Sequence, residues 1–127
     1  MKNLVTALII ALALFGCKTA QPIYNVDTQV PINVTDKVME KAIIDALIYK
    51  RWRVISKSDN EIIAGIDVRS HYAEISITYD NSNYAIKYKD SNNLDYVQSL
   101  NKIHRNYNKW IKLLSAEIEK NAYYAKG

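Results

Sequence analysis

Cysteine is nearly missing from this chain: Cys17 is its only one. A single cysteine allows no internal disulfide, so the folded part must rely on its apolar core. Histidine is also scarce. With only His71 and His104 and no second thiol, a zinc site would lean on distant carboxylates, so neither metal nor cofactor is expected. Three glycines and two prolines are too few for a chain that is disordered throughout. No strained Gly-x-Ser-x-Gly elbow occurs. Charge of one sign is not concentrated either: 17 basic residues stand against 13 acidic ones, interspersed along the chain. A nucleic-acid partner would need a denser basic face, and none is expected. Phenylalanine occurs once against ten tyrosines. Tyrosine suits half-buried sheet positions, where its ring is apolar and its hydroxyl is wet.

The longest apolar run lies at the start. Residues 4–15 of MKNLVTALIIALALFGCKTAQP are apolar apart from Thr6, with Lys2 before them and Gly16 and Cys17 after. A membrane-crossing helix needs about 20 apolar residues, and this run is shorter. Charge, apolar stretch and small residue are the three parts of a secretory signal. Leu14-Phe15-Gly16-Cys17 resembles a bacterial lipobox, with Phe15 bulkier than the usual small residue. The resemblance implies that residues 1–16 are removed and that the Cys17 thiol becomes a diacylglyceryl thioether. Palmitate-type acyl chains contribute about 0.8 kcal/mol per buried methylene, so dual acylation anchors firmly. Lys18 stands where an Asp would resemble an inner-membrane retention signal. The expected location is therefore the bacterial cell envelope, membrane or periplasm, with the outer membrane favoured in a two-membrane bacterium.

Removal of the signal leaves 111 of the 127 residues, enough for one domain. Residues 17–34 read as a lipidated tether, because Pro22 and Pro31 disfavour helix and polar residues dominate. Only Ile23-Tyr24-Asn25-Val26 offers a weak edge-strand pattern. Residues 35–124 read as a single α+β domain. Thr35 or Asp36 can cap a helix over 36–50, where Met39, Ile43, Ala46 and Leu47 recur at helical spacing. Trp52 and Val54 open a strand. Ile62, Ala64, Ile66 and Val68 share one strand face, Ala73, Ile75, Ile77 and Tyr79 another, and Tyr84, Ile86 and Tyr88 a third. Residues 57–60 and 80–83 are the turns between them. A polar loop over 90–101 follows, with Leu94, Tyr96 and Val97 to pin it. A last helix over 102–123 carries Ile103, Tyr107, Trp110, Ile111, Leu114 and Ile118. The order α-β-β-β-β-α predicts a two-layer fold, a four-stranded antiparallel meander with both helices on one sheet face. The other face would be polar, with a small apolar patch at Ile55, Ile63 and Tyr72.

Tyr88-x-Asp90-Ser91-x-Asn93-Leu94-x-Tyr96 and Ile103-His104-x-Asn106-Tyr107-Asn108-x-Trp110, with KAIIDALIYKRWRVIS before them, resemble a family of small bacterial lipoproteins of undetermined function. The resemblance spans roughly residues 38–118 and implies the same fold and lipid anchor, with no activity attached. Arg51 departs from the pattern, standing where glycine is expected before the first strand's tryptophan.

The two motifs also hold the densest set of polar and aromatic side chains. Asp90, Asn93, Tyr96, His104, Asn106 and Tyr107 would line one groove if the loop folds over the start of the last helix. Stacking tyrosines and hydrogen-bonding asparagines suit an envelope protein or polymer as partner, through a non-catalytic module. The competing reading is structural: Asx residues cap and close the loop, while Tyr107 and Trp110 join the core. A third reading is a small hydrolase of envelope polymer using His104 with Ser91 or Asp90. Those residue types are common, however, and only geometry would identify such a site.

Overall fold

A computed structural model describes residues 19–30 and 33–125. The expected signal peptide and the lipidated Cys17 lie outside the described residues. In chain order the elements are β1 (Ala20–Pro22), β2 (Val26–Gln29), α1 (Asp36–Tyr49), β3 (Arg53–Ser58), β4 (Glu61–Val68), β5 (His71–Tyr79), β6 (Asn83–Asn92), β7 (Lys102–His104) and α2 (Arg105–Ala125). The class is α+β, and every strand pairing is antiparallel.

The meander β3–β6 forms as its alternation predicts. Ile62 faces Ile77, Ala64 faces Ile75, Ile66 faces Ala73, and Ile77 faces Ile86 across the ladders. Each such apolar cross-strand pair contributes roughly 0.2–1 kcal/mol beyond an alanine pair. The sheet has five strands rather than four, in the order β2-β6-β5-β4-β3. Val26 and Thr28 pair with Ile86 and Tyr84 on the free edge of β6. A second, two-stranded sheet joins β1 to β7. Residues 20–30 are therefore part of the fold, which corrects their reading as a spacer. Two apolar anchors, Val26 and Val30, are buried and hold this stretch down.

The buried stripes of both helices and the apolar sheet face make one core. Met39, Ile43 and Leu47 of α1 and Ile111, Leu114 and Ile118 of α2 are completely buried in it. Thr35 caps α1, its hydroxyl accepting from the Val38 amide at 3.1 Å. The far end closes with Trp52 N–H donating to Leu47 at 2.8 Å and Arg51 N–H to Ile48 at 3.1 Å. That pair of bonds is the Schellman arrangement, and it requires a left-handed residue at Arg51, whose φ is 69°. The glycine expected there would adopt this φ without the Cβ clash that arginine accepts.

Two bulges tune the polar face. The register slips between Val54 and Ser56, leaving Ile55 as the extra residue, and again between Glu74 and Ile75 opposite Lys89. Ile55 and Tyr72 pack over Gly65, where an added Cβ would lie 2.8 Å from the Tyr72 hydroxyl. Of the expected patch of Ile55, Ile63 and Tyr72, Ile55 and Tyr72 thus meet over Gly65, near the Arg53–Asp67 ion pair at 2.9 Å and Lys89–Glu74 at 3.3 Å. Val54, expected to share the buried side of Trp52, is exposed on the edge strand. β6 continues to Asn92, and the segment expected to open the last helix, Lys102–His104, is instead β7.

Candidate functional site

His104 ends β7 and caps α2. Its Nδ1 accepts from the Asn106 amide at 3.1 Å, which satisfies one of the unpaired N–H groups of the first turn. An accepting Nδ1 carries no proton, so neutral His104 holds its hydrogen on Nε2. The backbone of the expected tether reaches the same place. Ala20 pairs with His104, and the Arg105 amide donates to the Thr19 carbonyl at 2.8 Å.

Asn108, one turn further on, is the buried polar residue of the core. Its Oδ1 accepts from the Tyr24 amide at 2.9 Å. Its Nδ2 donates to the Pro22 carbonyl at 2.9 Å and to Gln21 Oε1 at 3.3 Å. These are sequence separations of more than 80 residues closed by one side chain. A buried amide with its partners in place specifies one register, because leaving any of them unmade costs about 1–3 kcal/mol.

The remaining expected site residues separate. Asp90 turns its Oδ1 back onto the Ser91 amide at 2.8 Å. Asn93, left-handed at φ 59°, donates from Nδ2 to Ser70 Oγ at 2.9 Å, and its carbonyl accepts from His71 Nδ1 at 2.6 Å. It latches the loop to the β4–β5 turn. Leu94 is buried beneath, whereas Tyr96 and Val97 are exposed and hold the loop by a ring stack on Tyr88 and by backbone bonds between Val97 and Lys102. Tyr107 has no exposed surface, so it cannot line an open groove, which corrects its place among the binding residues. An aromatic ladder links it outward. Tyr107 meets Tyr88 edge-on at 5.8 Å between ring centroids, and Tyr88 stacks on Tyr96 at 4.4 Å. Ser91 shares a hydrogen bond of 2.7 Å with the Tyr88 hydroxyl.

The Tyr107 hydroxyl is buried without a hydrogen-bond partner among the described residues. Burial pushes its pKa up, with the neighbouring Tyr88 adding to the shift. Among the described hydrogen bonds, none joins His104 to Ser91 or Asp90. Among the described residues no group of three or more His, Cys, Asp and Glu is placed to hold a metal ion.

An open cleft lies beside this junction. It is about 490 Å³ in volume, and Gln21, Asn106, Asn108, Arg105, Lys109 and Lys112 line it with Leu113. Asn106 is thus the expected site residue that does reach a cavity. The cations escaped notice because they fall outside the apolar stripe. Their signal is nonetheless present, since residues 105–114 hold three basic side chains and no acidic one. Comparison of the chain with family models, curated proteins and solved structures returned no match.

Proposed function

We propose that this is a lipid-anchored bacterial envelope lipoprotein whose α+β domain serves as a non-catalytic binding or structural module. Residues 1–16 act as its signal peptide, Cys17 carries the acyl chains, and the outer membrane is favoured where two membranes exist. The motifs around residues 88–110 keep their resemblance to the small bacterial lipoproteins.

The observation that carries the non-catalytic reading is how the polar cluster is used. His104 Nδ1 is taken by the Asn106 amide, Ser91 Oγ by Tyr88, Asn93 by Ser70 and His71, and Asn108 by the N-terminal strand. These contacts secure the chain to itself. The residues left to meet a partner are Tyr96, which is 37% exposed, and Asn106 at the cleft.

Fatty-acid labelling in cells tests the anchor. Cys17→Ser should abolish the label and leave uncleaved precursor, and label persisting in that variant would end the reading. In-cell crosslinking tests the module: a dominant adduct should weaken in Tyr96→Ala/Asn106→Ala. Release of soluble fragments from envelope polymer by the purified protein, lost in His104→Ala, would instead establish the hydrolase.

A further inference from the structure

Thr19 and Gln21 lie beside the basic cleft. Thr19 is bonded to the first amide of α2 and Ala20 is paired in β1, and in sequence Lys18 alone stands between Thr19 and Cys17. Two residues of fully extended chain reach only about 7 Å. An acylated Cys17 would therefore sit within that distance of Thr19, at the N-terminus of α2. Arg105, Lys109 and Lys112 recur there at intervals of four and three residues, which places them on one helix face. All three residues are exposed. Among the described ion pairs, none involves any of them. Lys112 lies 5.1 Å from the ring of the half-exposed Tyr24, which directs its ammonium toward the N-terminal strand. Leu113, 45% exposed, adds an apolar contact at the rim.

We infer that this face is a second membrane contact: Arg105, Lys109 and Lys112 lie against anionic phospholipid headgroups, and the domain is held on its side at the bilayer. The inference rests on the lipid-anchor reading above. Three observations converge on an anionic lipid surface as the occupant. The cations have no ion-pair partner among the described residues, acidic residues are missing from 105–114, and Cys17 is two residues in sequence from Thr19, which bonds Arg105. Each basic side chain brought to such a surface multiplies the bound-to-free ratio about fivefold at low salt. Three of them would hold the domain down once the acyl chains have brought it to the surface.

The test uses the full processed protein purified from membranes and returned to vesicles of phosphatidylcholine, or of phosphatidylcholine mixed with phosphatidylglycerol. Amine acylation is followed at Lys109 and Lys112 by mass spectrometry, with Lys87 on the polar sheet face as internal reference. The expected result is at least a fivefold slowing at Lys109 and Lys112 in the anionic vesicles, reversed by raising the salt concentration. The acylated Lys109→Arg/Lys112→Arg protein should still transfer more slowly from anionic than from neutral donor vesicles. Lys109→Gln/Lys112→Gln should lose most of that difference. Both substitutions are at exposed positions and leave the core intact.

Equal labelling in the two vesicles would overturn the inference and leave the cleft to a protein partner. Flotation with neutral vesicles reads the lipid anchor alone, so the two ideas fail separately. Flotation without charge-dependent protection removes the basic face and keeps the anchor. Charge-dependent protection in a chain that does not float with neutral vesicles removes the anchor and keeps the face.

Discussion

The two halves of α2 are built for different neighbours. Residues 115–125 pack on the rest of the domain, and Ser115, Glu117, Glu119, Lys120 and Asn121 find polar partners within it. Ser115 shares a 2.6 Å hydrogen bond with the buried Tyr84 hydroxyl, and Glu119 accepts from it at 3.1 Å. Asn121 donates to the Ala42 carbonyl of α1 at 3.1 Å, and Lys120 pairs with Glu117 at 3.2 Å. Residues 105–114 share that core through Ile111 and Leu114 and also meet the N-terminal strand, and among the described residues they leave groups over: three cations without an ion pair outside and the Tyr107 hydroxyl inside. A helix half that closes its own polar accounts is a packing element. One that keeps a surplus of charge at the surface is the face the proposed membrane contact uses.

The strongest way to break this contrast is at Asn108. Replacing it by Ala removes three hydrogen bonds, each worth about 1 kcal/mol net, and strands the Tyr24 amide and Pro22 carbonyl. Asn108→Ala should lower stability by roughly 3 kcal/mol in denaturant titration. It should also speed amide exchange at residues 20–24 while leaving the β4–β5 ladder protected. Uniform loss of protection would show that the N-terminal strand and the sheet open as one unit.

Two tyrosines sharpen the same comparison with opposite signs. Tyr84→Phe leaves Ser115 and Glu119 without their partner, and should cost about 1–2 kcal/mol. Tyr107→Phe removes a hydroxyl that has no partner, and should raise stability by about 1 kcal/mol. Both shifts are read from the denaturation midpoint. A destabilising Tyr107→Phe would mean that the hydroxyl is satisfied by ordered water.

Alkaline pH gives the third and smallest effect. Burial raises the pKa of Tyr84 and of Tyr107 above the ordinary value of 10.0. The folded state therefore keeps these protons after the unfolded chain has released them. Their contribution is fully present below pH 10 and is lost as pH rises above it. At pH 11 each protected tyrosine should cost about 1 kcal/mol of stability. The fall between pH 9 and pH 11 should accordingly shrink in Tyr107→Phe. An unchanged slope would place the alkaline sensitivity elsewhere, for instance at Tyr79, which burial and the nearby Glu40 push up to about 12.

What could be read along the chain was whatever repeats at close range. Ile62 to Val68 and Ala73 to Tyr79 alternate strictly, and a one-residue slip would turn their apolar set into water, so their register is fixed locally. The stripes of α1 and α2 are equally periodic. The edge strands offered no such signal. Val26–Gln29 has one buried apolar residue and Ala20–Pro22 none, so neither differs from a polar spacer until its partner is present. β7 was masked for a different reason. Ile103 lies four residues before Tyr107 and extends the helical stripe, but pairing with β1 and the His104 cap outweigh one more helical turn.

The candidate site followed the same division. The sequence placed Asp90, Asn93, Tyr96, His104, Asn106 and Tyr107 in two neighbouring motifs, and composition alone fits capping or recognition equally well. Their roles depend on side-chain partners such as Ser70, His71 and Tyr88, which the chain brings in from other strands. The sequence by itself determined an amphipathic meander between two amphipathic helices, because periodicity is a local property of side-chain order. Only the tertiary structure decided that the N-terminal strand closes the sheet and that Asn108 is its clasp. It also brought three cations beside the backbone of Thr19 and the side chain of Gln21, because those contacts join residues that are neighbours in space alone.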